Sequence, residues 1–166
     1  MQQATGNKVE ETGARRAATT SYKGFKALLA WQKADELASL VYRATRKMPA
    51  SERWLVPQPV RAAISIAANI AEGHGRGSLG DYVRFLDIAR GSLSELEYHL
   101  HFLTAEGLLS TEDAARIEKV RVDTGNLLHG LWVATKAKTK ATWDHTGAAI
   151  REDPAEYLAD LLEHPK

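Results

Sequence analysis

The sequence contains no cysteine, which excludes disulfides, thiolate metal sites and cysteine nucleophiles together. Aromatic residues are sparse at 7%. No stretch approaches the roughly 18 continuous apolar residues that a membrane span requires. The opening MQQATGNKVEETGARRAATTS lacks the apolar segment of a signal peptide, so a cytoplasmic protein with no membrane association is expected. Nor does any segment alternate apolar and polar residues for long enough to make a strand. What the chain does have is 44% apolar residues in a length of 166, sufficient for one domain with a real core.

The small net charge of +1 conceals an uneven distribution. Residues 1–62 hold 11 Lys and Arg against 5 Asp and Glu, whereas residues 142–166 hold 2 against 6. A basic beginning and an acidic tail imply either an anionic partner or parts of the protein that attract one another.

Helical spacing governs the middle of the chain. Residues 1–21 hold no large apolar residue except Val9 and predict a disordered arm. From Tyr22, apolar residues Ala27, Ala30, Ala34, Leu37, Val41, Ala44 and Met48 recur at threes and fours, the seam of a bundle helix, which Pro49 ends. A second helix begins around Pro57 and Pro59 and is expected to stop at Gly73. Its alanines keep it thin, and it is apolar on two faces. Ser78 and Asp81 form a capping signal for a third helix whose seam is Tyr82, Leu86, Ala89, Leu93, Leu96, Leu100 and Leu103, stopped by Gly107. Ser110 and Asp113 repeat the signal for a fourth, with Ile117, Val120, Thr124, Leu127, Leu131 and Ala134 as its seam. Short connections between long helices imply antiparallel neighbours, hence an all-α, up-down four-helix bundle over residues 22–136. Residues 137–166 read as a linker and a short acidic amphipathic helix, with Asp153 as cap, Pro154 at the first position, and Tyr157, Leu158, Leu161 and Leu162 on one side. That helix either folds back on its own bundle or docks on a neighbouring subunit or partner.

Chemistry-bearing patterns are weak. Metal-binding bundles place Glu and His three apart on inward faces, whereas Glu95 and His99, like Glu97 and His101, are four apart and lie off the leucine seam. The glycines of GHGRG follow a helix, the wrong order for a phosphate loop. A non-enzymatic protein without metal or cofactor is expected.

One feature of SIAANIAEGHGRGS, residues 65–78, stands apart: Ser65, Asn69, Glu72 and Arg76 make a polar stripe on an alanine-rich helix. Polar groups on a buried face require hydrogen-bond partners. The third helix offers a matching face in Arg84, Ile88, Gly91, Ser92 and Glu95, and a glycine inside that helix fits a close approach by another backbone. Arg76 has Glu72, Asp87 and Glu95 as candidate partners.

The segments VRAAISIAANIAEGHGRGS and DYVRFLDIARGSLSELEYHL, with FKALLAWQKADELASLVYRAT before them, resemble the four-helix-bundle proteins encoded by intervening sequences in large-subunit ribosomal RNA genes. The resemblance covers about residues 22–136 and rests on Asn69, Glu72, Gly73, Arg76, and Gly91-Ser92 with Glu95-Leu96-Glu97. It implies an up-down bundle assembled as a ring-like homopentamer and carries no catalytic residues. Pro57 and Pro59 stand where those relatives continue a helical pattern. More distantly, Trp132 is similar to a feature of the accessory protein of diversity-generating retroelements, which is pentameric and binds nucleic acid and a reverse transcriptase.

The expected protein is therefore a self-assembling helical scaffold whose polar junction, between helices or subunits, comprises Ser65, Asn69, Glu72, Arg76, Gly91, Ser92 and Glu95. The alternative is a nucleic-acid-binding accessory module, contacting RNA or DNA and possessing a protein partner such as a reverse transcriptase. Its basic rim would comprise Lys23, Lys26, Lys33, Arg43, Arg46 and Lys47 with Lys136, Lys138 and Lys140. A third reading is an adaptor whose acidic tail captures a protein partner.

Overall fold

The structure, a computed structural model, describes residues 24–146, and for residues 142–146 the backbone alone. The arm of residues 1–21, Lys23 and the acidic helix expected from Asp153 lie outside the described residues.

A 3-10 turn at Phe25–Ala27 leads into α1 (Leu29–Thr45), and a second at Ala50–Leu55 leads into α2 (Pro57–His74). Two long helices follow, α3 (Leu79–Ala105) and α4 (Thr111–Thr146). The bundle is up-down and antiparallel, as its cross-helix contacts require. Lys47 near the end of α1 meets Asp113 at the start of α4, Ser65 meets Ser92, and Glu97 meets Arg121.

The capping residues act where the sequence placed them. The Asp81 amide donates to Ser78 Oγ at 3.1 Å, and the Asp113 amide to Ser110 Oγ at 3.1 Å. Both relieve orphan donors at a helix start. Pro57 takes the first position of α2, where its missing N–H costs no helical bond. Gly107, at φ 67°, supplies the left-handed residue that ends α3.

The core runs along the bundle axis, with Leu37, Ile66, Ile70, Tyr82, Leu86, Leu96, Leu103, Ile117 and Leu128 fully enclosed. Three buried threonines sit among them without cost to polar satisfaction. Thr45, Thr124 and Thr135 each donate to the carbonyl four residues earlier, at 2.9, 2.7 and 2.8 Å.

Two expectations are corrected. Gly73 does not stop α2; it lies buried within the helix, which ends at His74. A side chain there would meet Tyr82 Cδ2 at 2.7 Å and Phe85 Cβ at 2.8 Å. Gly73 is thus the point where α2 and α3 press together. Residues 137–146 are not a linker, because α4 continues through them to Thr146.

Candidate functional site

The α2–α3 seam gathers part of the polar stripe. Ser65 Oγ and Ser92 Oγ lie 2.9 Å apart, and Ser92 donates to the Ile88 carbonyl at 3.1 Å. Having one proton each, the two hydroxyls then divide the work: Ser65 donates to Ser92 and accepts from Asn69 Nδ2 at 3.0 Å. Asn69 also donates to the Ser65 carbonyl at 2.7 Å. The result is a continuous hydrogen-bonded chain across two half-buried helix faces, each bond contributing about 1 kcal/mol.

The other junction residues fall elsewhere. Arg76 pairs with Glu72 on its own helix, and its guanidinium also lies 4.8 Å from the centre of the Phe85 ring, which Arg84 flanks at 4.6 Å. Glu95 reaches His99 at 3.7 Å, along α3 rather than across to α2. Among the described residues, a Cβ at Gly91 would meet nothing within 4 Å, so no neighbouring helix presses on it there. Gly91 and Glu95 instead belong to an outward face.

That face extends further than expected. Ile88, Gly91, Glu95, Tyr98 and Phe102 follow at threes and fours on α3 and are all exposed, Tyr98 by 65%. On the neighbouring α2, Ile64 is 54% exposed, and Ala68 and Glu72 are exposed one and two turns on. Tyr98, Phe102 and Ile64 are absent from the sequence reading of this surface. Carrying the same spacing two turns past Glu95 reaches the first two.

The basic residues do not form one rim. Arg43, Arg46 and Lys47 close α1 at the end of the bundle where α4 begins, and Lys47 is held by Asp113 at 2.8 Å. That hydrogen bond lowers the Asp113 carboxyl below its usual range. Lys136, Lys138 and Lys140 lie toward the opposite end, about 35 Å along α4 from Asp113. Lys26 is exposed at the start of the bundle. Lys33 is paired with Glu36 at 2.8 Å, which raises its ammonium pKa. Arg43 donates to the Ser39 carbonyl, and Arg46 covers Tyr42.

Around Trp132 a separate cluster forms. Arg90 and Lys136 lie 4.5 Å from its ring, and His129 stacks on it at 6.0 Å. Beside it, Asp87, Arg90, Gly91, Ser94, Gly125 and His129 help line an open cleft of about 490 Å³ between α3 and α4. Among the described residues, no three His, Asp or Glu side chains converge as a metal site, and no helix is long and apolar enough to cross a membrane.

These features define a helical bundle with a hydrogen-bonded α2–α3 seam beneath an outward face of mixed apolar and small residues. The profile of the 23S rRNA-intervening sequence protein family matches residues 26–130, and the chain belongs to that family. Among solved structures it is similar to a protein of unknown function from the S23 ribosomal protein family of Bacteroides thetaiotaomicron. The two share 24% identity over 62% of this chain and 94% of the other, with a TM-score of 0.58, a likeness of fold. A search of curated proteins finds no match.

Proposed function

We propose that the protein is a non-enzymatic helical scaffold that assembles with copies of itself, as a homopentamer, through the outward face of α2 and α3. The observation that supports this is the exposed series Ile88, Gly91, Tyr98 and Phe102, with Ile64 on the adjoining helix. Contiguous exposed apolar surface favours association. A glycine inside a strong helix costs about 1 kcal/mol relative to alanine. No described residue uses the space at Gly91, whereas a second copy closing on this face would. The number five follows from the family resemblance and not from the geometry of one chain. Beneath the face, the Ser65–Ser92 bond fixes the register of α2 against α3 and so keeps the surface in one shape.

Light scattering tests the reading. Five copies of the 18.3 kDa chain have a mass of about 92 kDa. Gly91→Arg combined with Ile88→Asp is expected to reduce that to the monomer while circular dichroism and the melting curve stay close to wild type, since both positions are exposed. A wild-type protein that runs as a monomer at tens of micromolar would refute assembly.

A second reading, a nucleic-acid-binding accessory protein, is supported by the Trp132 cluster, where Arg90 and Lys136 frame an indole and Lys140 follows one turn on. Phosphate contacts of this kind give affinity that falls steeply with salt. If the reading holds, RNA or duplex DNA binds at low salt, and Lys136→Glu with Lys140→Glu lowers affinity about tenfold or more. Absence of binding at low salt would reject it.

A further inference from the structure

A second groove lies between the end of α1 and the start of α2. Its volume is about 310 Å³, and its lining combines apolar side chains (Tyr42, Val56, Pro57, Val60) with Arg46 and Arg53. Tyr42 is 48% exposed. Trp54, in the adjoining 3-10 turn, is 72% exposed. Arg43 and Arg61 are exposed on the flanking helices. None of these four arginines forms an ion pair with a described residue, so among the described residues the rim carries unpaired cationic charge.

The sequence supplies one segment of opposite character. Between residues 152 and 163, Glu152, Asp153, Glu156, Asp160 and Glu163 occur with no Lys or Arg. At helical spacing, Tyr157, Leu158, Leu161 and Leu162 share one side and the carboxylates occupy the other. An acidic amphipathic helix of about three turns matches an apolar groove rimmed by arginine, carboxylates meeting guanidinium groups and leucines the apolar lining.

We infer that the acidic tail of one copy docks in the α1–α2 groove of another copy. Reach excludes docking within one chain. The groove lies near the level where Lys47 meets Asp113, whereas the tail leaves α4 at Thr146, about 45–50 Å away along the helix. Fully extended, the chain from Thr146 to Asp153 spans about 25 Å. A helix starting at Asp153 adds only about 14 Å by Leu162. The tail therefore falls short of its own groove and meets a neighbour's. This inference needs copies to meet, as the scaffold reading supposes, but uses a different surface from the α2–α3 face.

Because the chain has no cysteine, introduced thiols report the contact without background. Full-length chains carrying Val60→Cys and Leu161→Cys, each with a different tag, are mixed and mildly oxidised. The expected result is disulfide formation between the two chains about tenfold faster than between Leu161→Cys and an exposed control, Ala115→Cys on α4. Raising the salt, or adding Arg46→Glu with Arg53→Glu, should slow it about fivefold or more. Tyr42→Cys, at an exposed position, serves as a second acceptor if Val60→Cys perturbs folding. Equal rates at groove and control, or indifference to charge reversal, overturn the inference. So does closure of a disulfide within one chain carrying both substitutions at high dilution. Oligomeric mass measured alongside separates the two proposals: a pentamer with no groove cross-link removes tail docking alone, and a monomer that still cross-links removes the α2–α3 assembly alone.

Discussion

Gly73→Val should unfold at a temperature about 6–12 °C below wild type. Its added Cβ would stand 2.7 Å from Tyr82 Cδ2 and 2.8 Å from Phe85 Cβ, inside the distance that real side chains keep. Phe85 Cβ is fixed to the α3 backbone, so a rotamer change cannot clear it and the helices must separate. Overpacking of that kind costs about 1–3 kcal/mol, and the branched side chain with two further carbons places this case at the upper end. For a chain of this size each kcal/mol lowers the melting temperature by about 2–4 °C. Gly75→Ala is the matched control. Its Cβ would meet only the Glu72 and Ala71 carbonyl oxygens at 3.5 and 3.8 Å, in ordinary contact. Thermal melts of the two variants by circular dichroism check the contrast. Similar melting temperatures would mean that α2 and α3 are not pressed together at Gly73.

Gly73 also shows what a sequence can and cannot express. A glycine near the end of an apolar helix stops the helix in many proteins, and the letter is the same when it admits a neighbour instead. The deciding fact is the position of Tyr82 and Phe85, which belongs to the packing of α3 and not to the segment around residue 73. The capping residues Ser78 and Ser110 were legible because their partners, Asp81 and Asp113, lie three residues away. Locality decided what could be read.

The same rule explains α4. A strict alternation of threes and fours places Leu127 and Ala134 in the seam, but the buried positions are Leu128 and Thr135. A straight helix of 3.6 residues per turn drifts from a seven-residue repeat, so the inward position moves on by one. Residues 137–141, lacking an apolar seam, resembled a linker. Lysine and alanine are nevertheless good helix formers, and α4 continues through them. Division of the basic residues between two ends was latent in the antiparallel order of the helices, since the end of α1 must meet the start of α4. For the candidate face, Ser65, Asn69 and Ser92 were legible as a polar cluster. The exposed Tyr98 and Phe102 were not, because aromatic residues at core spacing resemble a second seam until the neighbouring helices are placed.

Tyr82 provides the other large effect. Its side chain is fully buried against Gly73 and beside His74, whose ring lies 6.2 Å away at 89°. Its hydroxyl has no hydrogen-bond partner among the described residues. Burial pushes the phenol well above the ordinary tyrosine value of 10.0. Folding therefore favours the protonated form, and the sign of the linkage follows. Below about pH 10 the folded and unfolded chains both hold the proton and stability is independent of pH at this site. Above it the unfolded chain loses the proton first, so stability falls by up to about 1.4 kcal/mol per pH unit until the folded-state value is reached. Tyr82→Phe removes that dependence. It also removes an unpartnered buried hydroxyl, so at neutral pH the variant is expected to equal or exceed wild type by about 1 kcal/mol. Urea unfolding of both proteins at pH 8, 10 and 11 isolates the effect, because every other titrating group cancels in the comparison. The advantage of the variant should be constant up to about pH 9 and grow by about 1 kcal/mol between pH 10 and 11. A difference that stays flat to pH 11 would mean the phenol ionises as easily in the folded protein as in the unfolded chain. Tyr82 would then not fill the gap over Gly73, and the close α2–α3 contact there would lose one of its two sides.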